Sequence, residues 1–140
     1  SIHGVFACGN VLQVHDLVDY VTREAFAAGR AAARFALDGA ARGGEPQIVK
    51  TEPGEGVRYI VPQRITVSED APVGELRLFY RSTATLRDVK VKITADGEVL
   101  RTLSRKIVTP GEMENAILPP EITEKLRGGK KTLRIDLIKQ

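Results

Sequence analysis

The spacing of apolar residues changes once along this chain, and that change limits the fold more than any other feature. Up to Leu37 the apolar positions recur every three or four residues: Leu17, Val18, Val21, Ala25, Ala28, Ala32 and Phe35. That period is helical. From Val57 onward they recur every second residue, the period of a strand with one buried face. Between the two regimes lies a stretch rich in glycine and proline, GAARGGEPQIVKTEPGEG, residues 39–56. Such punctuation suits a boundary between units. The spacing therefore predicts an α+β chain with a first unit over residues 1–44, a linker over 45–56 and a β domain over 57–140.

Within the first unit, Ile2 to Cys8 reads as a short strand ending at Gly9, and Asp16 to about Leu37 reads as a helix. Asp16 suits the N-cap, and Asp19 places negative charge in the first turn. Ala25, Gly29, Ala32, Ala33 and Ala36 form a stripe of small residues. Such a stripe lets another backbone approach closely, a reason to spend a mid-helix glycine at Gly29. Gly39 is placed to stop the helix.

In the second unit, Leu76, Leu78 and Tyr80 alternate with Arg77, Phe79 and Arg81. Val89, Val91 and Ile93 alternate with Lys90, Lys92 and Thr94, and Leu133, Ile135 and Leu137 with Thr132, Arg134 and Asp136. Asp96-Gly97 is a two-residue hairpin signal, with Glu98–Val108 as the returning strand. Val57–Thr66 is extended with Pro62 interrupting it, Met113–Leu118 is a further strand, and Pro119 to Leu126 holds a helical turn. Strands and turn signals at this density predict an all-β immunoglobulin-like sandwich in architecture, without the Cys–Trp–Cys core of antibody domains.

Composition excludes several classes. The chain has 140 residues and a single cysteine, Cys8. An internal disulfide and a CxxC redox pair are thereby impossible within it. The two histidines, His3 and His15, do not suggest a metal site. No apolar run is long enough to span a membrane. No signal-peptide pattern opens the chain, and its first residues read as mid-domain, so a C-terminal piece of a longer cytoplasmic protein is expected. Residues 57–140 carry sixteen Lys and Arg against eleven Asp and Glu, a balance of +5. Tyr59, Phe79 and Tyr80 do not alternate with basic residues as a base-stacking platform would, so nucleic acid is not the expected partner.

Only residues 4–36 carry specific chemistry. Their order is strand, Gly9-Asn10, a short loop, then a helix containing Gly29-Arg30-Ala31-Ala32-Ala33. Gly9 allows close backbone approach to a ligand. Asn10 offers both a donor and an acceptor to a sugar hydroxyl. The free N–H groups opening the helix near His15–Val18 face outward as a site for electron-rich groups.

These residues resemble a known family. GVFACGN followed by VHDLVDYVTREAFAAGRAAA is similar to the second FAD-binding motif of the thioredoxin-reductase-like, pyridine nucleotide–disulfide oxidoreductase superfamily. That motif reads roughly GVFAAGD followed by a helix with GxxAA. The resemblance implies that residues 1–44 are the C-terminal fragment of an FAD-binding domain. It implies that Asn10 stands where the family has an Asp bonded to a ribityl hydroxyl, with Gly9 and Val11 beside it and nearby backbone amides contacting the pyrophosphate. It also implies that His15, Asp16, Leu17 and Val18 lie near the flavin pyrimidine edge. FAD is then the implied cofactor and NAD(P)H the hydride partner. VRYIVPQRI and the β-rich remainder resemble the C-terminal extension of a bacterial branch of FAD-dependent oxidoreductases. The GxGxxG units that such enzymes need are absent from this sequence: Gly43-Gly44 and Gly128-Gly129 lack a strand–turn–helix setting. The rest of the FAD and NAD(P) domains would be the partner, and residues 1–140 alone would be catalytically inert.

Plainer readings stand beside these. Cys8 reads as an inert buried thiol, His15 as a loop residue with a packing role rather than a proton shuttle, and Asp16 and Asp19 as capping residues rather than an acid–base pair. Arg101, Arg105 and Lys106 read as solvated strand charges rather than a docking stripe. The alternative function is a non-catalytic β-sandwich interaction module that pairs two copies or docks a partner subunit, with Tyr59, Ile60 and Phe79 as contact candidates.

Overall fold

The computed structural model describes residues 4–38, 47–67 and 74–139. The chain divides into two compact units, residues 1–45 and 46–140. The protein is mixed α/β and mostly strand.

In the first unit a short 3-10 turn, Gly9–Val11, precedes the long helix α1, Val18–Asp38. The helix was expected from its period, and Asp19 lies in its first turn. Residues 5–8, by contrast, are not a strand. Cys8 has extended backbone, but among the described residues no ladder pairs this segment, and a segment without a hydrogen-bonded neighbour is not a strand. Residues 1–3 and the expected stop at Gly39 lie outside the described residues. The segment packs on one face of α1. The Phe6 and Phe35 rings meet edge to face at 5.8 Å. Along α1 the half-buried positions are Tyr20, Val21, Glu24, Ala28, Ala32 and Phe35. Val18, Phe26 and Leu37 project from it exposed.

Among the described residues the second unit holds eight strands: β1 Gln47–Pro53, β2 Val57–Val61, β3 Arg64–Val67, β4 Leu76–Ser82, β5 Leu86–Ala95, β6 Glu98–Val108, β7 Glu114–Leu118 and β8 Thr132–Lys139. A short helix α2, Pro120–Thr123, and a 3-10 turn over Glu124–Leu126 join the last two. Five strands form one sheet in the order β3-β1-β8-β5-β6, and three form another in the order β2-β4-β7. Asp96 and Gly97 both take positive φ, 46° and 87°, and turn β5 into β6 as the sequence predicts.

Alternation sets the core. Val89, Val91 and Ile93 of β5, Leu133, Ile135 and Leu137 of β8, and Leu78 and Tyr80 of β4 are all buried, and both sheets contribute to one cluster. Ile93 sits opposite Ile135, and Val91 opposite Leu137, so the register keeps apolar side chains on one side.

One expectation is overturned. The segment taken as linker contains β1, which pairs antiparallel with β3 and parallel with β8. Only Val49 of β1 is buried. A strand flanked by prolines that buries a single apolar side chain gives almost no periodic signal. Its place comes from backbone pairing instead.

Candidate functional site

The loop between the 3-10 turn and α1 is organised by a residue on the helix. Gly9 takes φ +72°, a conformation that side chains disfavour, and its carbonyl accepts the Leu12 and Gln13 amides at 2.9 and 3.3 Å. Its own N–H points to α1 and donates to Glu24 Oε2 at 2.6 Å. His15 Nε2 lies 2.8 Å from the same oxygen. Gln13 Nε2 donates to Glu24 Oε1 at 3.3 Å. One carboxylate thus collects three donors spread over seven residues of loop. The His15 side chain is 1% exposed and that of Glu24 15%. Hydrogen bonds to a charged group in such surroundings are stronger than neutral ones.

Asn10 closes the loop from the other side, its Oδ1 accepting the His15 amide at 3.3 Å. The carbonyl end of Asn10 is therefore engaged within the loop. Its NH₂ end is the one left to face outward, so Asn10 is equipped to donate.

The structure brings Gly9, Asn10 and His15 together. Val11, Asp16, Leu17 and Val18 are exposed around them, Val11 at 84%. Val18 opens α1, so the amides ahead of its first turn belong to the same corner. Cys8 is a free, half-buried thiol just before the turn, in extended backbone rather than in a strand. Glu24 is the residue that sequence reasoning missed. It stands three residues after Val21 and four before Ala28, a carboxylate inside an apolar helical stripe. That is a legible signal of a buried charge with partners.

Gly29 does not serve a close approach among the described residues. A Cβ there would meet nothing within 4 Å.

In the second unit the expected contact residues are engaged internally. Ile60 is buried in the core. Tyr59 is half-buried, and its hydroxyl accepts Arg81 Nε at 2.9 Å. Phe79 is half-buried as well. The side chains that stand more exposed are Ile48, Val99, Ile107 and Ile138. Arg101 and Arg105 are half-buried and engaged rather than fully solvated, whereas Lys106 is exposed. Arg101 donates to the Ile117 carbonyl, and Arg105 binds Glu114 and the Asn115 carbonyl.

Among the described residues no three His, Cys, Asp or Glu side chains converge as metal ligands, and no helix is long and apolar enough to cross a membrane. Neither protein-family profiles, curated proteins nor solved structures match this chain.

Proposed function

We propose that residues 4–38 form one wall of the flavin site of an FAD-dependent, NAD(P)H-linked oxidoreductase, and that residues 46–140 are a non-catalytic β-rich appendage with an immunoglobulin-like arrangement. The observation that carries this reading is the corner at Gly9-Asn10 and His15–Val18. A glycine in left-handed backbone, an outward amide donor and the opening amides of a 21-residue helix converge there. Such a corner suits a ligand with both polyol and electron-rich parts.

The exposed apolar residues agree with this reading. Val5, Val11, Val14, Leu17, Val18, Phe26 and Leu37 all stand out from a single small unit. Large apolar side chains exposed in that number on a unit this small support a covering partner. The remainder of an FAD-binding domain, contributing the ADP half of the site and the NAD(P) half, is the proposed cover. FAD, when bound, supplies the hydride chemistry. This chain would position Asn10 beside the ribityl chain, exclude water with its apolar face, and present the amides of α1 to the pyrimidine edge. A cytoplasmic setting goes with this reading.

The test is direct. The native polypeptide containing these residues is purified and its visible spectrum recorded. Flavin absorbance that is released on denaturation, and that weakens with Asn10→Ala, supports the reading; a colourless, folded protein that fails to take up FAD ends it.

A second reading is favoured by one observation. Val99 and Ile107 are exposed on β6, an edge strand. Edge strands are pairing templates, so the β unit would join two copies or a partner subunit. Light scattering on the full chain tests the pairing of two copies, which a monomer at every concentration removes; a monomer that also captures no partner subunit removes the reading.

A further inference from the structure

Two acceptor atoms at this corner meet no donor among the described residues: Gln13 Oε1 and His15 Nδ1, both buried. Their orientation follows from Glu24. A carboxylate only accepts hydrogen bonds, so Gln13 must turn its NH₂ toward Glu24 and its carbonyl oxygen away. For the same reason Nε2 of His15 carries the proton that faces Glu24, and when the ring holds that proton alone Nδ1 is a bare lone pair. The two atoms belong to residues one apart on the same loop and are aimed by the same carboxylate. Gln13 is 6% exposed and the His15 side chain 1%. Buried acceptors are almost always satisfied, and an unsatisfied pair calls for a partner that carries donors.

We propose that Gln13 Oε1 and His15 Nδ1 receive hydrogen bonds from a donor-bearing edge of the bound ligand, and that Glu24 is the positioning residue that aims them. The proposal rests on the flavin reading and narrows which part of the ligand reaches this loop. A phosphate at neutral pH has no proton to give, so pyrophosphate does not fit. Hydroxyls and imide N–H groups do. In FAD these are the ribityl hydroxyls and the N3–H of the pyrimidine ring. Asn10, with its NH₂ outward, serves the complementary need and donates to a ligand oxygen. Leu12, Val14 and Asp16, which neighbour the pair in sequence, are exposed.

The experiment uses the native polypeptide labelled with 15N-histidine and stripped of any bound flavin. The ring-nitrogen shifts of His15 report its tautomer and its hydrogen bonds. Three probes are titrated: riboflavin, lumiflavin, which keeps the imide but lacks the ribityl chain, and inorganic pyrophosphate. The apo protein should show the Nε2–H tautomer, and Glu24→Gln should mix the two tautomers, which a merely structural role for Glu24 would not do. Gln13→Leu should weaken riboflavin binding about tenfold. If that variant unfolds, the wild-type shifts decide alone. A shift of Nδ1 with both flavins assigns the contact to N3–H, and a shift with riboflavin only assigns it to the ribityl hydroxyls. Riboflavin binding with Nδ1 unmoved, or a response to pyrophosphate alone, overturns the proposal and leaves the flavin reading standing. Absence of binding by either flavin overturns both.

Discussion

Arg105 Nε lies 2.9 Å from Glu114 Oε2, and this pair joins β6 of the larger sheet to β7 of the smaller one. The same guanidinium donates through its NH2 to the Asn115 carbonyl at 2.9 Å. Arg101 does likewise at Ile117, two positions further along β7. The two arginines clasp the sheets along one side of the core. Arg105→Met keeps the stem and removes both bonds to β7, together with the one its NH1 donates to the Ser104 carbonyl. It should cost about 1–3 kcal/mol, read as a lower urea midpoint. Glu114→Gln, which retains an acceptor, should cost less.

Tyr80 makes the opposite case. It is fully buried in β4, and its hydroxyl meets no partner among the described residues. Burial, reinforced by the nearby Glu114 carboxylate and opposed by Arg105, pushes its ionisation far above the ordinary tyrosine value. Tyr80→Phe should leave stability within about 0.5 kcal/mol of wild type or raise it, since it removes an unpaired polar group. A loss above about 1 kcal/mol in chemical denaturation would mean that the hydroxyl has a partner.

Gly54 opens the turn from β1 to β2, and its N–H donates to the Ile135 carbonyl at 2.8 Å. A Cβ here would overlap the Asp136 carboxylate and lie 2.5 Å from the Ile135 carbonyl oxygen. Gly54→Ala must therefore push β8 away or break that bond. Its expected cost of about 2 kcal/mol or more should show in thermal unfolding. Gly111→Ala, where a Cβ has open space, is the control.

Acid should weaken the β unit through three carboxylates. The Lys131 amide, followed by the Thr132 amide, holds Asp96 below its ordinary value, and Lys130 does the same for Glu98. For Asp136, burial pushes upward, but the Arg134 guanidinium and the Glu55 amide outweigh it and the result is a lowered value. Lowered folded-state values mean that the unfolded chain binds protons first. The stabilisation is therefore complete above the ordinary carboxylate range and is lost as pH falls through it, from about 4 downward. Melting temperature should drop over that window, and Asp96→Asn should flatten the drop.

Glu24 should leave a local signature in the first unit. The Gly9 amide is tied to its carboxylate. Glu24→Ala should speed hydrogen exchange at Gly9 at least about tenfold while the middle of α1 keeps its protection. Unchanged exchange at Gly9 would show that the carboxylate does not organise the loop.

Legibility of this fold tracked burial on one face. β4, β5 and β8 carry alternating buried residues and are legible from their spacing, β6 follows from the Asp96-Gly97 turn that precedes it, and α1 is legible from its covered stripe. β1 could not, because Val49 is its one buried side chain and prolines flank it. The parallel partnership of β1 with β8 is a long-range pairing that no local pattern encodes. At the candidate site, Gly9, Asn10 and His15 were legible as chemistry-bearing types next to a helix start. Glu24 carries a signal, a carboxylate inside an apolar stripe, but its donors Gly9, Gln13 and His15 lie 15, 11 and 9 residues away and no local pattern names them. The edge strands misled for a related reason: Ile60 and Tyr59 are apolar neighbours of a proline, yet one enters the core and the other is tied to Arg81.

β8 occupies the middle of the five-stranded sheet, with β1 on one flank and β5 on the other. During synthesis everything through Arg127 can emerge from the ribosome while that central slot stays open. The nascent β unit then has no way to seal its interior until Thr132–Lys139 arrives to bridge the two halves. A translation-arrested chain ending before Thr132 should be cut rapidly by proteases, and one released eight residues later should resist them.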